Sequence, residues 1–174
     1  MPKLSPTYKM QFRRRREGKT NYKRRLKLLL SKKVRLVVRR SLKYIVAQLI
    51  KFDEGRSDRV IASATSKELK KFGWKYACDN LPSAYLTGLL IGKRAIEKGI
   101  EEAILNIGLY TSTKGARIYA VAKGAIDAGL KIPISEEVIP SEERIKGKHI
   151  ADFLPKFKDI TQDFEKIKNN ILGG

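Results

Sequence analysis

Val34-Arg-Leu-Val-Val-Arg-Arg40 is followed, after Ser41 and Leu42, by Lys43-Tyr-Ile-Val-Ala-Gln-Leu-Ile-Lys-Phe52. In the first segment Val34, Leu36 and Val38 alternate with Arg35, Val37 and Arg39. In the second, Ile45, Ala47 and Leu49 alternate with Tyr44, Val46 and Gln48. A period of two sends successive side chains to opposite faces of a strand, so both segments predict strands with a core face and an arginine-bearing face. Residues 59–65, Arg-Val-Ile-Ala-Ser-Ala-Thr, form a third candidate, and Asp53, Glu54, Gly55 and Ser57 supply turn chemistry before it. Such short connections predict an antiparallel meander with one face free to meet a partner.

Beyond the meander the period changes. Residues 83–99 read as a helix with Tyr85, Leu86, Leu89, Leu90 and Ile96 inward and Gly99 as its stop. Residues 103–109 are almost continuously apolar, as in a strand covered on both faces. Residues 116–128 place Ile118, Val121, Ala122, Ala125 and Ile126 on one helical stripe, and residues 131–134 suit a short edge strand. The expected fold is therefore α/β, a mixed β-sheet sandwich of order β-β-β-α-β-α plus the edge strand. Residues 135–158 carry Glu136, Glu137, Pro140, Glu142, Glu143 and Pro155, the composition of a surface excursion. A last helix over 160–171 would face Ile160, Phe164, Ile167 and Ile171 inward, with Asp159 as N-cap. Three parts follow: a basic arm and short helix (1–33, the helix over 20–30), an α/β core (34–134), and the excursion with its helix (135–174). Residues 1–12, with Pro2 and Pro6 and no apolar period, read as extended.

Charge is distributed unevenly over the 174 residues. The chain carries a net +20, yet its first forty residues hold sixteen Lys and Arg against a single acid, Glu17, leaving only +5 for the remainder. That asymmetry points to a polyanion as partner of the front segment. Nucleic acid fits best, because aromatic and amide side chains interleave with the charge. Arg13, Arg14, Arg15, Arg16, Lys19, Lys23, Arg24, Arg25 and Lys27 are candidates for phosphates, with Thr20, Asn21 and Tyr22 among them for riboses and bases. A charge run can also be merely solvated, or a localisation signal. Arg35, Arg39, Arg40 and Lys43 argue otherwise by continuing the positive surface onto the sheet. Ser41, Tyr44 and Gln48 on the meander suit splayed bases and ribose hydroxyls, although Tyr44 could equally cap the edge of the core.

The single cysteine, Cys78, excludes an internal disulfide and fits a reducing compartment. No segment reaches the roughly 18 uninterrupted apolar residues of a membrane helix, and the basic front lacks the apolar core of a secretory signal. These features lead to the expectation of a cytoplasmic protein. Gly88-Leu-Leu-Ile-Gly92-Lys93 has the look of a phosphate-binding loop but is one residue short and lies within a helical pattern. Its glycines fit close helix–sheet approach better. Between the buried strand and the second helix, Thr111-Ser-Thr-Lys-Gly-Ala-Arg117 reads either as an anion site at a helix start, using Lys114 and Arg117, or as simple N-capping. Catalytic signals are thin. His149 is the only histidine, Cys78 stands beside Asp79, and no Cys/His spacing matches zinc. The residues call for no cofactor and no metal.

Several motifs together resemble one family over nearly the whole chain. Phe12-Arg-Arg-Arg-Arg-Glu-Gly-Lys-Thr-Asn-Tyr22 looks like the N-terminal signature of the archaeal and eukaryotic branch of the 5S-rRNA-binding protein of the large ribosomal subunit, the L-eighteen family (L-five in eukaryotes). Arg35-Leu-Val-Val-Arg39 with Ile45-Val-Ala-Gln48, Thr87-Gly-Leu-Leu-Ile-Gly-Lys-Arg94, and Thr113-Lys-Gly-Ala-Arg117 with Lys123-Gly-Ala extend the likeness. Ile145-Lys-Gly-Lys-His149-Ile resembles a stretch that bacterial members lack, and the short tail resembles the archaeal form. The resemblance implies an α/β domain that binds 5S rRNA and helps hold the central protuberance onto the large-subunit rRNA. Its implied neighbours are other large-subunit proteins, including the second 5S-binding protein; it implies no catalytic residues. Arg13–Arg16, Lys19, Thr20, Asn21, Tyr22 and the Arg35/Arg39/Lys43 face would lie in the RNA. The acidic excursion and the last helix are candidates for the protein contacts. Two rivals follow from the residues alone. One is a metal-dependent RNA-processing enzyme built on Asp53, Glu54 and Asp58; the other, a peripheral membrane binder, is disfavoured by the low apolar content of residues 1–25.

Overall fold

The computed structural model describes residues 7–53 and 57–173. In chain order the elements are α1 (Arg13–Arg16), α2 (Tyr22–Leu30), β1 (Arg35–Arg40), β2 (Ile45–Asp53), β3 (Ser57–Thr65), α3 (Leu81–Glu97), β4 (Ile104–Asn106), α4 (Arg117–Asp127), α5 (Glu142–Lys146), α6 (Lys148–Phe153) and α7 (Ile160–Gly173), with short 3-10 turns at Ser66–Phe72, Glu136–Val138 and Pro155–Phe157. The sheet order is β3-β2-β1-β4. β1, β2 and β3 form the expected antiparallel meander, and β4 joins β1 in parallel, which makes the sheet mixed.

Register fixes the two faces. Leu36 opposes Leu49, and Val38 opposes Ala47; these four side chains, with Ile45, Ala62 and Ala64, are buried in the main core. α3 and α4 cover this face. A β-bulge where the β2 register shifts between Leu49 and Ile50 twists β3. Next to it, Lys98 Nζ and an Arg94 guanidinium N–H from α3 donate to the carbonyls of Ile61 and Ser63 on this edge strand.

α3 begins where the Asn80 side chain accepts from the Ser83 N–H at 2.9 Å, with Pro82 in the first turn, where no N–H is needed. The Gly88-to-Lys93 motif lies inside this helix, so it is not a phosphate loop. Its glycines also serve a purpose other than close helix–sheet approach. A Cβ on Gly88 would overlap the carbonyl oxygen of Val121, one on Gly124 the carbonyl oxygen of Tyr85, and one on Gly92 the Cβ of Ala128. The close approach is of helix to helix: α3 and α4 meet backbone to backbone.

Four expectations need correction. Ile96, expected inward on α3, is 46% exposed. The strand foreseen over 103–109 is only three residues long and half-buried, because its chain leaves the sheet after Asn106. The foreseen edge strand at 131–134 is reduced to one parallel bridge between Glu102 and Lys131. The stretch 135–158 contains α5 and α6, and Ile145 is buried in the core. α7 buries all four of its foreseen apolar residues, Ile160, Phe164, Ile167 and Ile171, each contributing about 1.5–3 kcal/mol by removal from water. The extended reading of residues 1–6 and the turn reading of Glu54 and Gly55 lie outside the described residues.

The glycine seam gives a direct prediction. Gly88→Ala and Gly124→Ala each force backbone apart against a rigid neighbour, so each lowers the free energy of unfolding by about 1–3 kcal/mol or more, measured by urea denaturation.

Candidate nucleic-acid interface

The basic front is folded back on itself rather than trailing. Arg13–Arg16 make one exposed helical turn. Gly18, at φ +62°, reverses the chain so that the Lys19 and Thr20 N–H groups donate to the Arg14 carbonyl at 2.8 and 3.2 Å. Arg14 Nε donates to Thr20 Oγ1 at 2.9 Å. Phe12 and Tyr22 close the loop with ring centroids 5.3 Å apart. Glu17 pairs with Lys19 at 2.8 Å and Arg13 at 3.5 Å, all at the surface, where such pairs contribute little. Asn21 caps α2, its Oδ1 accepting from the Arg24 N–H at 3.1 Å.

α2 lies over the face of the sheet opposite α3 and α4. Its attachment is Asp58 on β3, whose carboxylate accepts from Arg25 of α2 at 2.7 Å and from Arg35 of β1 at 2.6 Å. Arg35 was expected on an open face among the RNA contacts. It is 2% exposed instead, its guanidinium closed in by this pairing. The alternation of β1 was read correctly, but the second face is not free, because α2 and its loop cover the β1 end of it. Among the described residues Arg35 Nε has no hydrogen-bond partner and Asp58 is the one carboxylate paired with the group, which raises the cost of losing it. Partial burial would raise the Asp58 carboxyl, but the hydrogen bonds and charges of Arg25 and Arg35 outweigh it and hold the group below its ordinary value.

Between α2, its preceding loop and the β1–β4 side of the sheet runs a cleft of about 600 Å³. Arg14, Lys19, Arg24, Arg25 and Arg39 bring positive charge to it; Leu28, Val37 and Ile107 bring apolar surface. Tyr110 at its margin accepts from the Arg40 N–H at 3.3 Å and donates to the Arg40 carbonyl at 3.0 Å, while the Arg40 guanidinium lies 5.0 Å from the ring centroid. Asn106, Ile107, Leu109 and Tyr110 were not foreseen at this site. Residues 106–109 were read only as the end of a buried strand and Tyr110 lay just beyond it, and nothing in a local apolar run signals that its end bends into a cleft.

The remaining foreseen residues are dispersed. Arg15, Arg16, Lys23, Lys27 and Lys43 are exposed. Ser41 holds the β1–β2 hairpin: its hydroxyl accepts from the Lys43 and Tyr44 N–H groups and donates to the Tyr44 carbonyl. Tyr44 packs on the edge of the core, and Gln48 is half-buried in the middle of β2. Lys114 and Arg117 stand apart at the start of α4, where Lys114 pairs with Glu137 at 3.2 Å and Arg117 with Asp79 at 3.1 Å. Among the described residues no side chain caps α4, so the N-capping reading of that segment does not hold.

Comparison with known proteins is decisive at this point. The family model described as ribosomal large subunit proteins 60S L5 and 50S L18 matches residues 6–103 and 97–135. A curated relative, the large ribosomal subunit protein uL18 of Korarchaeum cryptofilum (strain OPF8), is 56% identical over 155 residues, 89% of this chain and 79% of that protein. The chain belongs to the L18/L5 family. Membership makes it a structural constituent of the large ribosomal subunit, a cytoplasmic particle, and not an enzyme.

Burial raises the Cys78 thiol and Asp79 adds to the effect, against a smaller pull from Lys70, so a reactive thiolate is disfavoured. Burial lowers His149, as does Arg144. Among the described residues no three His, Cys, Asp or Glu side chains converge on a metal site, and no helix is long and apolar enough to cross a membrane.

Asp58→Asn leaves Arg35 buried without its counter-charge and lowers stability by about 3 kcal/mol, whereas Arg25→Gln, at a pair one-third exposed, costs about 1 kcal/mol or less. The folded-state value of Asp58 is depressed, so its contribution is complete above the unfolded value of 3.8 and is lost as pH falls through the lower one. Urea unfolding at several pH values checks this: the gap between wild type and Asp58→Asn is widest near neutrality and closes under strong acid.

Proposed function

We propose that this chain binds 5S rRNA through its basic loop, α2 and the adjoining end of the sheet, and so helps attach that RNA to the large-subunit rRNA in the central protuberance. The observation that carries the reading is the density of exposed cations, Arg13–Arg16, Lys19, Lys23, Arg24, Lys27, Arg39, Arg40 and Lys43, with Glu17 as the only acid among the first forty residues. Cations at this density neutralise phosphates and release counterions, while Thr20, Asn21 and Tyr22 supply hydroxyl, amide and ring contacts. Arg35 acts from behind the surface by holding α2 through Asp58. Lys114, exposed and weakly paired, can exchange Glu137 for a phosphate; Arg117 is more firmly held by Asp79.

The three-part division serves this reading: residues 1–33 meet RNA, 34–134 form the supporting domain, and 135–174 face protein neighbours, including the second 5S-binding protein. α7 spends its apolar face inside the chain, which leaves α6 as the better protein contact, with Phe153 82% exposed beside Leu154. The enzyme alternative loses its nucleus, because Asp58 is already shared by two arginines; Glu54 lies outside the described residues.

Affinity for a 5S rRNA transcript is expected to fall by about three to five decades between 50 and 200 mM salt if 6–10 phosphates are neutralised. Replacing Arg13–Arg16 by glutamine lowers the salt slope by about one for each phosphate contact removed, with the melting profile unchanged. An unaltered slope would remove the loop from the interface. Cleavage of labelled RNA in magnesium or manganese, abolished by Asp53→Asn, would overturn the non-catalytic reading.

A further inference from the structure

We infer that the cleft between α2 and the sheet receives a single unstacked nucleotide of the bound RNA. This rests on the RNA-binding reading above and goes beyond it, because backbone charge alone has no use for such a cavity. Duplex phosphates need only exposed cations spaced along the surface, not an enclosed recess. Here the cations stand around a recess of about 600 Å³, within the range of roughly 300–1,000 Å³ that holds small organic ligands.

The lining matches the parts of a nucleotide. Leu28 and Val37 give apolar walls for the faces of a base, and Tyr110 provides a ring at the margin whose hydroxyl is already tied to the Arg40 backbone. That tie holds the ring ready for stacking instead of leaving it to be ordered on binding. Lys19 and Arg39 place positive charge on the same recess for the attached phosphate. Asn106 Oδ1 accepts from the Gly108 N–H at 2.9 Å, so the amide group it offers a ligand is its NH2, a donor. A base lodged here is read by stacking and by its acceptor atoms, the mode that single-stranded loops and bulges permit and A-form helices do not. The Asp58 link to Arg25 sets the position of α2 and thereby the width of the recess.

Leu28→Trp tests the idea by filling the cleft without changing charge, and Asn106→Ala by removing the donor. Binding of the full chain to a 5S rRNA transcript is compared, at one salt concentration, with binding to a fully paired RNA of equal phosphate number. Each variant is expected to lose about tenfold in affinity for the transcript and nothing for the duplex, with the salt slope unchanged. The cleft assignment is overturned if Leu28→Trp keeps the wild-type preference, if both RNAs are weakened alike, or if an acidic peptide competes for the wild-type cleft better than the transcript. Should the wild type itself show no preference, the 5S reading beneath falls as well. Photocrosslinking of 4-thiouridine-substituted transcript to the unaltered chain guards against misfolded variants: adducts within residues 106–110 or at Leu28 support the cleft, and adducts confined to Arg13–Arg16 sink it.

Discussion

A single carboxylate at the start of β3 organises the half of the molecule that carries the positive charge. Asp58 accepts from Arg35 on β1 and Arg25 on α2, so one negative charge joins two strands and a helix that would otherwise repel one another. Without it the cationic helix would face a buried guanidinium of the same sign, and electrostatics would drive the front of the chain off the sheet. With it, one end of α2 is anchored, the loop before it is braced on the Asn21 cap and the Phe12–Tyr22 ring contact, and a recess stays open between helix and sheet. Basic side chains are thus presented from a defined surface, and much of the ordering that binding RNA would demand of a loose tail has already been met on folding.

The other half of the molecule is held by packing. The Gly88, Gly92 and Gly124 seam lets α3 and α4 approach as backbones, which places their larger side chains against Leu36, Val38, Ala47 and Leu49 of the sheet. α7 then closes over α3 with four apolar residues at helical spacing. The two halves obey different physics: one is held mainly by charge and responds to salt and acid, while the other is held by shape and apolar contact and responds little to either.

Periodicity made the meander, the two long helices and α7 legible, because each displays a whole apolar face locally. The sandwich order and the mixed sheet followed. What stayed hidden depended on distant partners. Arg35 looks like a surface residue in the alternation of β1; its burial is decided by Asp58, twenty-three positions on, and by a helix that precedes the strand. The glycines of α3 announced close approach, but only the fold shows that the neighbour is α4. Ser41 and Asn21 were read for ligand chemistry, yet the turn and the helix start engage their oxygens first, as short polar side chains commonly do. The recess could not be foreseen, since part of its wall comes from the Asn106–Tyr110 bend, most of which the sequence reads as plain strand.

The side chains that α3 lends to β3 have a bearing on the life of the chain before it finds its RNA. An outer strand with bare carbonyls and amides invites other copies to zip alongside it. Arg94 and Lys98 occupy the Ile61 and Ser63 carbonyls next to the bulge. Any would-be neighbouring strand therefore meets a twisted, cation-guarded margin, so the free polypeptide is protected from amyloid-like stacking by its own architecture while it waits for a place in the particle.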